Sequence, residues 1–381
     1  MLAIPTLTDG VVVLRAPSDD DIEGSYEQCQ DPASQQWTSI PVPYTRDDAR
    51  RYLRHIIPGG WETDREWGFV VDAPDEDGVR RFAGTISLRN EGPGRAEIAY
   101  GSHPWARGRG LMERALRLLL DWGFAQRDLQ TVIWLARRGN WASRRLAWRL
   151  GFSFDGTLRS WLPMRDGLTD AWAGTLRRGE PMAPRTEWLR TPTITGASVV
   201  LRTAVEADVP RLVEALGDPV LQRYSQSIRD HAPHDDRSVR ARELDHLEES
   251  ALGSSLTWTV ADAVSDAFVG TATLYRIHPG REAEVGYWTH PDARGRGVAT
   301  EACRLMVRHA FIDPEAGGLG LHRLAAYASE ENLASLRILE RSGFTRFGTE
   351  RRSTLLADGS YVDTAAFDQL ATDHSGRDIG D

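Results

Sequence analysis

The chain of 381 residues contains no lysine; all 46 of its basic residues are arginine. That absence excludes a Walker-type P-loop, a Schiff-base lysine and a Ser–Lys dyad. Cysteine is nearly absent as well. Cys29 and Cys303 are the only two, so neither a disulfide framework nor a cysteine metal site is expected, and a reducing cytoplasm fits. No apolar run approaches the roughly 20 residues that span a bilayer. The first ten residues, MLAIPTLTDG, show no basic n-region and no long apolar segment, so neither a signal peptide nor a membrane partner is expected. Excess positive charge is missing too. Residues 1–185 carry 25 Arg and 25 acidic residues, residues 186–381 carry 21 and 30, and the whole net charge of −9 lies in the second half. Nucleic-acid binding is not suggested by that balance, whereas an acidic half can attract cationic acceptors.

What is present is present twice. Pro104-Trp-Ala-Arg-Gly-Arg-Gly110 recurs as Pro291-Asp-Ala-Arg-Gly-Arg-Gly297, an offset of 187 that also links Leu14-Arg15 to Leu201-Arg202, Asp21 to Asp208 and Glu97 to Glu284. Asn140-x-x-Ser143 and Gly151-Phe152 recur as Asn332-x-x-Ser335 and Gly343-Phe344 at an offset of 192, so the second copy holds about five extra residues between the two motifs. A period this long marks a duplicated domain, and 381 residues suffice for two cores. The expected organisation is a domain over 1–180, a Pro-rich linker over 181–195, a domain over 196–372 and a polar tail over 373–381. Within each copy the hydrophobic pattern reads β-α-(α)-β-β-β-α-β-α-β-β. That pattern implies an α/β (α+β) fold, a mixed, mostly antiparallel sheet flanked by helices.

The chemistry concentrates at Arg294-Gly295-Arg296-Gly297-Val298-Ala299, between a strand and an amphipathic helix. Glycines there let backbone approach a ligand, and the helix start offers unpaired N–H groups, which suits a pyrophosphate. The third glycine of a dinucleotide-binding fingerprint is missing in both copies, where Thr300 and Glu113 stand instead. About 35 residues further on comes Asn332-x-x-Ser335-x-x-x-x-Glu340-x-x-Gly343-Phe344. The segment His231-Ala-Pro-His234-Asp235-Asp236 reads as a turn, and no metal site is expected.

Taken together, the two motifs make each copy resemble the GNAT acetyltransferase superfamily, in its RimJ/RimL-like branch. The resemblance runs from Leu14 to about Leu176 and from Leu201 to about Leu370. It implies acetyl-CoA as co-substrate, with Arg294, Gly295, Arg296, Gly297, Val298 and Ala299 as coenzyme contacts beside Tyr287 and Trp288 of the preceding strand. It places Asn332 on the pantetheine arm and Ser335 near the thioester sulfur. The matching positions of copy one are Arg107, Gly108, Arg109, Gly110 and Asn140. Direct attack by an amine needs a modest base, because an α-amino group has a pKa of about 7.7–8.0. Glu284 is the candidate base, alternatively a structural or acceptor-binding carboxylate. Backbone N–H near Tyr287 or Trp288 is the candidate oxyanion donor. Ser335 is the leaving-group partner, with Tyr327 as its competitor. Copy one departs from the pattern at Met112, where copy two has Ala299, and at Leu135, where it has Tyr327; Met112 is expected to crowd the phosphates. The implied activity is N-acetylation of a primary amine on a protein N-terminus or a small molecule. The alternatives are a non-catalytic coenzyme-A-binding regulatory or scaffold protein and an amine-detoxifying antibiotic acetyltransferase. The stretches 37–44 and 231–236 are the expected acceptor-selecting loops.

Overall fold

A computed structural model describes residues 4–374. The chain divides into two compact units, Met1–Arg185 and Thr186–Asp381. In unit one the strands are β1 (Leu7–Thr8), β2 (Val13–Arg15), β3 (Glu66–Pro74), β4 (Arg80–Asn90), β5 (Arg95–Ser102), β6 (Thr131–Arg137), β7 (Gly156–Met164) and β8 (Gly167–Arg177). They form one sheet in the order β1-β2-β3-β4-β5-β6-β8-β7. Unit two repeats that layout with β9 (Ile194–Thr195), β10 (Val199–Arg202), β11 (Leu256–Asp262), β12 (Phe268–His278), β13 (Glu282–Thr289), β14 (Arg323–Ser329), β15 (Thr345–Leu355) and β16 (Tyr361–Leu370). The mixed sheet and the doubling are as the sequence implies; the two-residue strands β1 and β9 are additions to the expected pattern.

All strand contacts are antiparallel except one in each unit, β5 with β6 and β13 with β14. A parallel pair needs a crossover, and here the crossover is the helix that follows the Arg-Gly-Arg-Gly loop, Leu111–Gln126 in unit one and Val298–Phe311 in unit two. The second of these buries Val298, Ala299, Ala302, Cys303, Met306, Val307 and Ala310, a stripe at three- and four-residue spacing that faces the sheet. The opposite face is covered by Val209–Leu216, whose Val209 and Leu212 pack in a separate small cluster with Phe268. The five extra residues of copy two fall between the crossover helix and β14, where a 3₁₀ turn at Pro314–Ala316 lengthens the connection.

The unit boundary lies at 185/186, inside the stretch expected as a linker. Its two halves are packed down. Arg117 donates to the Met182 carbonyl at 2.7 Å, and the Trp258 indole N–H donates to the Pro192 carbonyl at 2.9 Å. Of the expected tail, residues 373 and 374 end a short helix, Ala371–His374; residues 375–381 lie outside the described residues.

Candidate active site

The site of unit two begins where two strands part. β13 and β14 pair only from Glu282↔Arg323 to Val285↔Ala326, yet β13 runs on to Thr289 and β14 to Ser329. Beyond Val285 the strands splay and leave a cleft of about 650 Å³. It is walled by the end of β13, the loop from Ala293 through Arg294, Gly295 and Gly297 to Ala299, Tyr327 on β14, and Asn332 and Ser335 at the start of helix Leu333–Arg341. Strand alternation decides which backbone groups face the gap. The N–H of His290 bonds to Val269 on the β12 side, so with period two the N–H groups of Tyr287 and Thr289 point into the splay.

Gly295 and Gly297 have φ of 75° and 82°, and a Cβ at either would meet nothing within 4 Å. Glycine is therefore required there by the left-handed backbone, and the space before it is open. Gly297 caps helix Val298–Phe311 with no side-chain partner, so the first-turn N–H groups are free to take an anion. The site thus fits a diphosphate through backbone. The arginines are engaged by the protein itself. Arg294 reaches Asp218 Oδ2 at 2.5 Å, and Asp218 in turn accepts from the Leu221 N–H as cap of helix Pro219–Tyr224. Arg296 lies 3.3 Å from Asp262 on an exposed surface.

Asn332 caps its helix through Ser335 N–H at 3.2 Å, and Ser335 Oγ lies 3.1 Å from the Tyr287 hydroxyl. Burial, above all, pushes the Tyr287 pKa well up, so this hydroxyl stays protonated at neutral pH. The sequence points to Tyr287 as a coenzyme neighbour and to the backbone N–H near it as an oxyanion donor; its hydroxyl is also the partner of Ser335. Trp288 packs against Phe268 with tilted rings, centroids 5.6 Å apart. Tyr327 is 41 % exposed on the cleft wall. Glu284 is not among the residues lining the cleft. It pairs with Arg276 at 2.8 Å and lies opposite Tyr275, which does line it. The 231–236 loop is not part of the wall either; Tyr224 and Ser225 occupy that end. Cys303 is fully buried, its thiol pushed up to about 12 by desolvation, which makes it a packing residue.

Unit one keeps the frame and fills the opening. β5 and β6 also pair over only four residues, ending at Ile98↔Trp134. Trp134 stands where Ala326 stands in unit two. Its indole N–H contacts the Tyr100 hydroxyl at 3.2 Å and Ser143 Oγ at 3.0 Å, so the ring lies across the splay, 2 % exposed. Trp172 replaces Ala365 by strand register, Trp141 replaces Leu333, and their rings meet at 4.7 Å. Met112 does not crowd the loop as expected. It is turned inward, 9 % exposed, with its methyl beside Gly84. The loop itself persists, with Gly108 and Gly110 at φ of 74° and 73°. Arg107 pairs with Asp31 at 2.6 Å, Arg109 lies over the Trp105 ring at 5.2 Å, and Asn140 caps its helix through Ser143.

A strand, a glycine loop and a helix around a splayed parallel pair, present twice, define a tandem acyltransferase architecture. The model of the acetyltransferase (GNAT) domain matches residues 12–153 and again 198–345, and the chain belongs to that family. It is 33% identical over 116 residues to "Probable N-acetyltransferase YjcK" of Bacillus subtilis, covering 30% of this chain and 61% of that protein. It is 27% identical over 94 residues to the ribosomal-protein-serine acetyltransferase of Escherichia coli, covering 24% and 50%. The chain therefore spans about half to three-fifths of these relatives' lengths. Among solved structures, RimL, a ribosomal L7/L12 alpha-N-protein acetyltransferase in complex with coenzyme A, aligns with TM-score 0.42 and 18% identity over 47% of this chain and 98% of its own.

Proposed function

We propose that unit two transfers an acetyl group from acetyl-CoA to a primary amine by direct attack, and that unit one takes no coenzyme. The observation that carries this reading is the single cleft in which the first turn of helix Val298–Phe311, Asn332 and the Tyr287–Ser335 pair all face one space. The first-turn N–H groups of Val298 and Ala299 hold the diphosphate, and Arg296 exchanges its exposed 3.3 Å contact with Asp262 to join them. Asn332 binds the pantetheine amides. Bound this way, the co-substrate supplies an activated thioester.

The remaining work falls to this chain's residues. The N–H groups of Tyr287 and Thr289 stabilise the carbonyl oxygen as it becomes anionic. As the C–N bond forms and the C–S bond breaks, the Ser335–Tyr287 hydroxyl pair gives a proton to the departing sulfur and is reprotonated through water, with the amine proton released from Glu284 to water closing the balance. Glu284, which pairs with Arg276 at 2.8 Å, takes the amine proton through water past Tyr275. The acceptor enters at the end lined by Tyr224, Ser225 and Tyr275. The ribosomal-protein relatives favour a peptide N-terminus as acceptor over a small amine.

A thiol-release assay with peptide and small-amine acceptors tests this. Turnover that falls in Ser335→Ala and Glu284→Gln, with acetyl-CoA affinity kept, supports the reading. Coenzyme binding without turnover on any acceptor supports the non-catalytic alternative.

A further inference from the structure

The two copies differ in charge beside the glycine loop. In unit one Glu113, the third residue of the crossover helix Leu111–Gln126, lies 3.5 Å from Arg149 and 2.9 Å from Arg117. Arg117 also donates to the Arg149 carbonyl at 3.3 Å. One carboxylate thus answers two guanidiniums where the start of one helix meets the end of another. Unit two keeps that frame. Arg304, at the position of Arg117, donates to the Arg341 carbonyl at 2.6 Å, and Arg341 stands where Arg149 does. The carboxylate is gone, because Thr300 replaces Glu113 at the offset of 187.

The exchange leaves cations at the rim of the cleft. Thr300, Arg337 and Arg341 all line it. Arg337 and Arg341 are exposed and lie four residues apart on helix Leu333–Arg341, so they share a face. Neither guanidinium meets a carboxylate among the described residues. Arg294 and Arg296, in contrast, are paired with Asp218 and Asp262. Guanidinium forks match phosphate oxygens two at a time, and the adjoining helix start adds its positive end. The cleft therefore offers an anion a second seat, apart from the backbone of the loop. Of the groups that coenzyme A carries, the pantetheine arm is uncharged and the diphosphate belongs to the loop. The remaining group is the 3′-phosphomonoester on its ribose, which bears about −1.5 to −2 charges at pH 7.

We infer that Arg337 and Arg341, with Thr300 beside them, hold the 3′-phosphate and make unit two select the 3′-phosphorylated coenzyme over its dephospho form. The inference rests on the assignment of this cleft to acetyl-CoA. In unit one, Glu113 holds the place such a phosphate would need.

Calorimetry on the full chain with coenzyme A and 3′-dephospho-coenzyme A as probes tests it. The wild type is expected to bind coenzyme A about tenfold more tightly, the scale of hydrogen bonds to charged groups. Arg337→Ala and Arg341→Ala, both at exposed helix positions, are expected to lose most of that preference and to leave affinity for the dephospho form nearly unchanged. Thr300→Glu, which restores the carboxylate that unit one carries, is expected to do the same. Equal affinity of the wild type for the two probes overturns the inference and leaves the cleft's assignment standing. A preference that survives in Arg337→Ala/Arg341→Ala, or a loss shared equally by both probes, also overturns it. Failure of both probes to bind the wild type overturns the cleft's assignment, and this inference with it.

Discussion

The indole N–H of Trp134 donates to Ser143 Oγ at 3.0 Å. The counterpart serine, Ser335, keeps the same tyrosine neighbour and the same asparagine cap but stands beside Ala326 on the wall of an open cleft. Trp134 in place of Ala326, with Trp141 and Trp172 in place of Leu333 and Ala365, thus separates a filled splay from an open cleft within a common frame.

Trp134 is structural in unit one. Replacing it by alanine is expected to cost about 3–5 kcal/mol, the range for deleting a buried tryptophan. Denaturant unfolding of the full chain, wild type against Trp134→Ala, reads this directly. A loss below about 1 kcal/mol would mean the ring fills nothing. Thiol release by unit two is expected to be unchanged.

If the proposed reaction holds, Ser335 and Tyr287, 3.1 Å apart, act as one proton-donating unit. Ser335→Ala and Tyr287→Phe are each expected to lower kcat about 10²-fold, within the range for positioned proton transfer, with little change in KM for acetyl-CoA. The double variant is expected to lose no more than the worse single one. Additive losses would show that the two hydroxyls work separately.

The Arg294–Asp218 pair ties the loop to the cap of helix Pro219–Tyr224. Burial works against the Asp218 carboxylate, but Arg294 and the helix N–H groups outweigh it and hold its pKa below the usual carboxylate range. A folded value below the unfolded one stabilises the protein at pH above about 3.9, and that contribution drains away as pH falls through the lower folded value. Asp218→Asn keeps an oxygen that can cap the helix but loses the ion pair with Arg294, and is expected to cost about 0.2–1 kcal/mol at pH 7. The gap to wild type should narrow below about pH 4, measured as urea midpoints across pH 3–7. A gap that widens on acidification contradicts the assignment.

Gly297→Ala and Gly110→Ala each force a side chain into left-handed backbone, at about 1–2 kcal/mol. Because no neighbour lies within 4 Å of either Cβ, the stability costs are expected to match. Only Gly297→Ala is expected to weaken acetyl-CoA binding, since only there does the methyl enter the cleft. Equal effects on binding would place coenzyme in both units.

Much of this was legible in the sequence because duplication supplied an internal comparison. Two copies of Arg-Gly-Arg-Gly before a helical pattern locate both crossovers, and Asn-x-x-Ser locates both caps. What escaped were features decided across the chain. The partner of Arg294 lies 76 residues away, at Asp218, and no local pattern joins them. Met112 looked obstructive because position alone does not say which way a side chain turns; packing draws it into the core beside Gly84. Trp134 opposite Ala326 was visible in the aligned copies, but its meaning depends on the strands parting just there. Glu284 sits on the expected strand, yet its pairing with Arg276 is set by a cross-strand register that spacing does not specify.

The most direct test is titration of the full chain with acetyl-CoA, alone and with Ala326→Trp, which installs in unit two the residue that closes unit one. One molecule bound per wild-type chain, and none by a folded Ala326→Trp chain, is the predicted result. Two molecules per chain, or one that persists in Ala326→Trp, would contradict it.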